Sequence, residues 1–142
     1  MPTVLVADDS KVQVQQLSYW LQDLGCKVIV AMDAPQAVKK VFQTLPDAII
    51  LDLNLPTGSG ITVLRELKSS PKTSRIPVLV VSGSAVSMEP LVCSMGAVGY
   101  LRKPVTFEGF SFAMAQILPS SDAPPGFAGS LSASFLPPMD RR

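Results

Sequence analysis

The sequence predicts an α/β fold: a doubly wound, five-stranded parallel sheet with strand order 2-1-3-4-5 and helices on both faces. Three observations point there. Apolar runs of strand length alternate along the chain with stretches of helical period, giving five β-then-α units. The strand runs are continuously apolar rather than alternating, which marks a sheet covered on both faces. The chain of 142 residues, 47% of them hydrophobic, is long enough for one ordinary domain. Right-handed crossovers then leave few topologies, and this strand order suits a five-unit chain.

Each element has its own justification. Thr3 to Ala7 (TVLVA) is a continuous apolar strand. From Lys11 the period changes: Val14, Leu17, Leu21 and Leu24 fall on one helical face, and Gly25 stops the helix. Lys27 to Ala31 (KVIVA) is the second strand. Asp33 can cap the second helix, with Pro35 in its first turn and Ala37, Val38, Val41, Phe42 and Leu45 facing inward. Ala48 to Leu51 (AIIL) is the third strand, and Ile61 to Leu67 lies in the third helix. Ile76 to Val81 (IPVLVV) is the fourth strand, and Val86 to Met95 is a weaker fourth helix. Pro90 marks that helix either as locally weakened or as starting late. Ala97 to Leu101 forms a short fifth strand, and Phe107 to Leu118 a fifth helix.

Composition narrows the function. Twelve basic residues against eleven acidic ones give a net charge of +1, which argues against nucleic acid held by bulk electrostatics. There is no histidine, so His-based catalysis and His metal ligation are excluded. Cys26 and Cys93 lie far apart, without the close pairing of a metal or redox site, and read as small buried hydrophobes. No apolar run approaches the ~20 residues needed to cross a membrane, and no basic-then-apolar leader is present. The expected location is cytoplasmic, with no membrane and no nucleic acid among the partners.

The predicted ligand crevice lies outside the carboxyl ends of strands one and three. The first strand runs into Asp8 and Asp9, and the third reaches Asp52. Three carboxylates converging at one rim repel one another, and a hard cation with oxygen ligands is the natural remedy; Mg²⁺ needs only one or two carboxylates while keeping waters and accepting phosphate oxygens. The fourth strand ends in VVSGS, which brings the Ser82 hydroxyl to the same edge, with Gly83 allowing close backbone approach. The fifth ends in YLRKP and delivers Lys103, followed by Pro104. Taken singly, each is ordinary: an Asp after a strand is as often a turn former, Ser82 a turn residue, Lys103 a solvated charge. Together they make a phosphoryl-transfer site in which an Asp carboxylate, already ionised, attacks phosphorus without needing a base.

Four segments, VADDS, LDLNLPTGSG, VVSGS and YLRKP, stand in the order and spacing of one family. Across Thr3 to Leu118 the chain resembles response-regulator receiver domains, the phosphoacceptor modules of two-component signalling, which have the flavodoxin-like order given above. The resemblance implies that Asp52 accepts a phosphoryl group from the phosphohistidine of a histidine kinase or phosphotransfer protein. It implies that Asp9, Asp52 and the backbone carbonyl of Asn54 bind Mg²⁺ directly, with Asp8 assisting through water. By the same resemblance Ser82 and Lys103 bind the phosphoryl oxygens, Tyr100 is a switch aromatic that turns inward as Ser82 moves, and Pro56 and Gly60 complete the motif after the phosphoacceptor. Asn54 and Ser84 flank the site where side chains tune hydrolysis in the family. The chain would then be no enzyme toward other substrates, catalysing only its own phosphorylation and dephosphorylation.

In two respects the chain departs from common receivers. The stretches GAVGY and FEGFSFAMAQIL lack the charges through which many receivers pair, although homodimerisation by other contacts stays open. The fourth and fifth helices are rich instead in Met88, Leu91, Val92, Met95, Phe107, Phe110, Phe112 and Met114. Part of that set is core, and the remainder is an apolar surface for an unknown downstream protein, built by helix four, strand five and helix five. Residues 1–118 form the expected receiver domain. Residues 119–142 are a Pro/Ser/Gly-rich tail or linker with no output domain, in which Phe127, Leu131, Phe135 and Leu136 could dock on that surface. Two other readings stay open on the residues alone. One is an aspartyl-phosphate phosphatase, although Asn54 stands where that class carries a second Asp; the other is a module that keeps only the fold.

Overall fold

A computed structural model describes residues 1–119; the tail expectations for residues 120–142 lie outside the described residues. Strands β1 (Thr3–Ala7), β2 (Lys27–Ala31), β3 (Ala48–Asp52), β4 (Val78–Ser82) and β5 (Gly99–Arg102) alternate with helices α1 (Lys11–Asp23), α2 (Ala34–Thr44), α3 (Gly60–Lys68), α4 (Glu89–Ser94) and α5 (Phe107–Ile117). The sheet is wholly parallel in the order β2-β1-β3-β4-β5, as expected.

Alternate residues of each strand feed two apolar layers, because successive side chains point to opposite faces. On one face Leu5, Ile49, Leu51, Val78 and Val80 pack with Val41 of α2, Val63, Leu64 and Leu67 of α3, and Val92 of α4. On the other, Val4, Val6, Ile50, Leu79 and Val81 pack with Leu17 and Leu21 of α1 and with Phe110, Ala113 and Met114 of α5. The Trp20 ring closes the second layer, with centroids 5.6 Å from Phe107 and 5.7 Å from Phe110.

Helix starts follow local chemistry. Asp33 Oδ1 accepts from Gln36 N at 2.8 Å, as the sequence predicts, and Ser10 and Thr106 cap α1 and α5 in the same way. Ser59 and Thr62 form a reciprocal capping box at α3.

Several expectations are corrected. Strand β4 starts at Val78 rather than Ile76, because Pro77 has no N–H to give the ladder; its carbonyl accepts from Ile49 N instead. Helix α4 spans only Glu89–Ser94, with Pro90 in its first turn, so the late start is the correct reading of that proline. Strand β5 begins at Gly99, after Gly96 turns the chain at φ 108°. Leu24 and Leu45 are exposed, not inward: each lies past the last helical turn, Leu45 as a left-handed cap at φ 46°. Cys26 is buried, but Cys93 is exposed. No helix among the described residues is long and apolar enough to cross a membrane.

Candidate phosphoacceptor site

Asp8 follows β1, and its backbone N–H still pairs with the Ala31 carbonyl at 3.0 Å, so the residue stays within the sheet's edge. Its side chain is buried, with Oδ1 accepting from Ser10 N at 2.9 Å. Asp9, one residue on, is exposed at the rim. Asp52 is the last residue of β3 and only 3% exposed; its Oδ1 accepts from Asn54 N at 3.1 Å. Oxygens of Asp8, Asp9 and Asp52 all lie within 4.8 Å of one another.

Lys103, just past β5, is the positive charge that the acidic rim calls for. Its Nζ lies 3.1 Å from Asp52 Oδ2 and 3.6 Å from Asp8 Oδ2. One ammonium against three carboxylates still leaves the rim short of positive charge. Burial, foremost, pushes the Asp8 carboxyl above its ordinary range, and the nearby Asp52 charge adds to this; the Ser10 N–H and the Lys103 ammonium pull the other way. Oxygen ligands, converging charge and partial exposure fit a hard divalent cation, with Asp8, Asp9 and Asp52 as candidates to hold it.

Ser82 ends β4 and is buried, its Oγ accepting from Ser84 N at 3.1 Å. The structure therefore puts Asp8, Asp9, Asp52, Ser82 and Lys103 at the carboxyl edge of the sheet, with Asn54 bonded to Asp52 from the loop beyond. Tyr100 is not at the rim. Its ring is already inward and 1% exposed, with the hydroxyl accepting from Met88 N at 3.2 Å.

Two glycines change places in importance. A Cβ on Gly83 would meet Lys103 Cδ at an ordinary 3.6 Å, so close approach does not require glycine there. A Cβ on Gly60 would collide with the Asp52 carbonyl oxygen and lie 2.6 Å from Leu53 Cα. Gly60 thus lets the start of α3 sit against the end of β3, with Gly60 N bonded to Leu53 O at 2.9 Å. The motif signals Gly60, but only the packing reveals that backbone contact. Residues that no sequence argument singled out for the site also contribute: Arg102 Nη2 reaches Ser84 O at 3.5 Å, and Ala34 N at the start of α2 donates to Pro56 O at 3.1 Å.

A doubly wound parallel sheet whose switch-point rim gathers an acidic trio, a lysine and a buried hydroxyl defines a class, the receiver-type α/β domains. A profile of the response regulator receiver domain matches residues 4–113, and the chain belongs to that family. Protein PilH of Pseudomonas aeruginosa is 30% identical over 109 residues, covering 76% of this chain and 90% of PilH. The response regulator PleD of Caulobacter vibrioides is 36% identical over 105 residues, 72% of this chain but 23% of PleD. The chain spans under half the length of PleD and of the mycobacterial regulator PrrA, where it covers 44%. Among solved structures, the chemotaxis response regulator CheY4 of Vibrio cholerae superposes with a TM-score of 0.76 at 28% identity, over 83% of this chain and 99% of that one. A putative response regulator from Chloroflexus aurantiacus gives a TM-score of 0.78 at 27% identity, over 82% and 96%.

Proposed function

We propose that this receiver takes a phosphoryl group onto Asp52 from the phosphohistidine of a histidine kinase or phosphotransfer protein and signals by the protein surface this creates. The observation that carries the reading is the contact of Lys103 Nζ with Asp52 Oδ2, at 3.1 Å, beside two further carboxylates. An Asp52 oxygen attacks phosphorus as the P–N bond to the donor imidazole breaks, and the bonding pair leaves with the imidazole. Lys103 offsets charge on the transferring oxygens, and the Ser82 hydroxyl donates to one of them. Asp8, Asp9, Asp52 and the Asn54 carbonyl are the groups proposed to hold Mg²⁺, which when bound supplies charge neutralisation at those oxygens. Asp8 belongs to this set by position, its carboxylate oxygen lying within 4.8 Å of oxygens of Asp9 and Asp52. No substrate other than the chain itself is implied, and a cytoplasmic location goes with this reading.

The output is proposed to lie on α4, β5 and α5. Because Tyr100 already points inward, the change on phosphorylation is proposed to run through the hydrogen bonds of the β4–α4 loop. Ser82 would leave Ser84 N for the phosphoryl oxygen, while Tyr100 keeps or yields Met88 N. Two packings that differ by a few kcal/mol suffice for a modest ligand to shift their populations.

Incubation with a small phosphodonor and Mg²⁺, followed by intact mass, tests the assignment. One phosphoryl adduct is expected, absent in Asp52→Asn; an adduct formed in that variant at the wild-type rate would reject Asp52. An unmodified wild-type chain would favour a module that keeps only the fold.

A further inference from the structure

Helix α1, KVQVQQLSYWLQD, buries Leu17 and Leu21 and turns its opposite side to solvent. At ~100° per residue, Val12 and Tyr19 fall within about 20° of each other at the centre of that outer side. They are 77% and 69% exposed, the two most exposed large apolar side chains on any helix among the described residues. Gln15, Gln16 and Gln22 flank them, all exposed and all neutral. The only charges on the helix are Lys11 at its first position and Asp23 at its last.

Those two charges are placed against their own helix. An α-helix favours anions at its N-terminus and cations at its C-terminus, yet α1 has no acidic residue in its first turn and no basic residue in its last. Among the described residues, neither Lys11 nor Asp23 enters an ion pair. The same helix run in reverse corrects both placements. In an antiparallel pair each Lys11 lies toward the C-terminal dipole end of the other helix, and each Asp23 toward the N-terminal end.

The side chains between the ends match as well. A two-fold axis midway between Val12 and Tyr19 sets Val12 against Tyr19 of the second copy. It also sets Gln15 against Gln16 of the second copy, and their amides can each donate and accept. In that register Lys11 stands about 4.5 Å along the axis from Asp23 of the second copy at ~1.5 Å per residue, within the span of a lysine stem. A contact about a two-fold axis needs a surface complementary to itself. A partner of one charge sign would instead meet one matching end and one opposing end.

We propose that α1 is a self-association surface, on which a second copy of this chain packs its own α1 antiparallel, with Val12 against Tyr19 and Lys11 toward Asp23. One 13-residue helix from each copy makes a contact at the small, weak end of the range for specific interfaces. The pair therefore forms and dissolves with concentration.

Sedimentation equilibrium of the full, unphosphorylated chain at low salt, from roughly 10 µM to 1 mM, tests this. A reversible monomer–dimer equilibrium is expected, with a dissociation constant that rises about tenfold or more in Tyr19→Ser. Lys11→Glu and Asp23→Lys should each weaken it, and the double variant Lys11→Glu, Asp23→Lys should restore it. Both side chains are exposed and sit at opposite ends of the helix, so that recovery cannot come from a contact within one copy. A monomer throughout the range would overturn the proposal, and is the result that a foreign helix as the occupant of α1 would give. A dimer unaffected by Tyr19→Ser, or a double variant no better than the weaker single one, would overturn it too. No phosphodonor enters these experiments, so their failure leaves the Asp52 assignment intact.

Discussion

Helices α3 and α4 cover the same face of the sheet and each follows a strand that ends in a site residue, yet they begin in opposite ways. Helix α3 has nine residues, four of them buried, a reciprocal capping box, and a glycine packed on the Asp52 backbone. Helix α4 has six residues, one of them buried, and no side-chain cap from its own N-cap residue Met88. Polar support at its start comes from Ser87 Oγ, which accepts the Glu89 N–H at 3.2 Å, and from across the fold, where the Tyr100 hydroxyl accepts the Met88 N–H. Capping and burial hold the surroundings of Asp52 in place, whereas the shorter α4, with one buried residue, has fewer packed contacts to give up.

The comparison can be broken most severely at Gly60. Gly60→Ala places a methyl group against the Asp52 and Leu53 backbone, and a loss of about 3 kcal/mol or more is expected, since backbone cannot retreat as a side chain can. Thermal unfolding measures it; a melting temperature within a degree of wild type would show that the start of α3 is not fixed by this contact. On the chemical side, Asp9→Ala should weaken Mg²⁺ binding at least about tenfold while leaving the fold intact, with calorimetry as the measurement and an unchanged affinity as the contradicting result.

Smaller changes sharpen the contrast. Ser59→Ala removes half of the α3 capping box and should cost about 1 kcal/mol. Tyr100→Phe should cost about as much in global stability, because a backbone N–H loses its acceptor. Hydrogen exchange distinguishes them: the Tyr100 variant should accelerate exchange selectively from Met88 to Ser94, whereas the Ser59 variant should leave α4 unchanged. Equal effects on both helices would erase the distinction.

The smallest effect concerns pH in the absence of metal. The Asp8 carboxyl is raised in the fold above 3.8, so the folded chain holds its proton to higher pH than the unfolded chain does. As pH rises through that window the group subtracts stability, and the deficit persists at neutral pH. Asp8→Asn should therefore raise the melting temperature at pH 7 in the absence of metal, with the gain vanishing as pH falls below 3.8. A gain that grows on acidification would reverse the sign assigned here. Mg²⁺ should diminish the gain, because the cation removes the repulsion that the substitution relieves.

Much of the molecule was readable from neighbouring residues. Continuous apolar runs such as VLVA and AIIL announced strands buried on both faces, Asp33 before Pro35 announced a capped helix, and together they implied the sheet order that the structure has. The carboxyl-end positions of Asp8, Asp9, Asp52, Ser82 and Lys103 followed, because a parallel sheet delivers the end of every strand to one rim. The ends of elements were less legible. The apolar period of α1 and α2 runs past the last hydrogen-bonded turn to Leu24 and Leu45, and β4 loses Ile76 and Pro77 because proline has no N–H to donate.

What the sequence alone determined was the period of each segment, its start signals and the chemical identity of the rim, since these depend on residues within a few positions of one another. Tertiary structure decided the rest. Lys103 meets Asp52 across a separation of 51 residues, Tyr100 turns inward to support a helix twelve residues earlier, and Gly60 is needed because one backbone lies against another. Such contacts depend on how the sheet and its two layers close in space, and no local pattern encodes that distance.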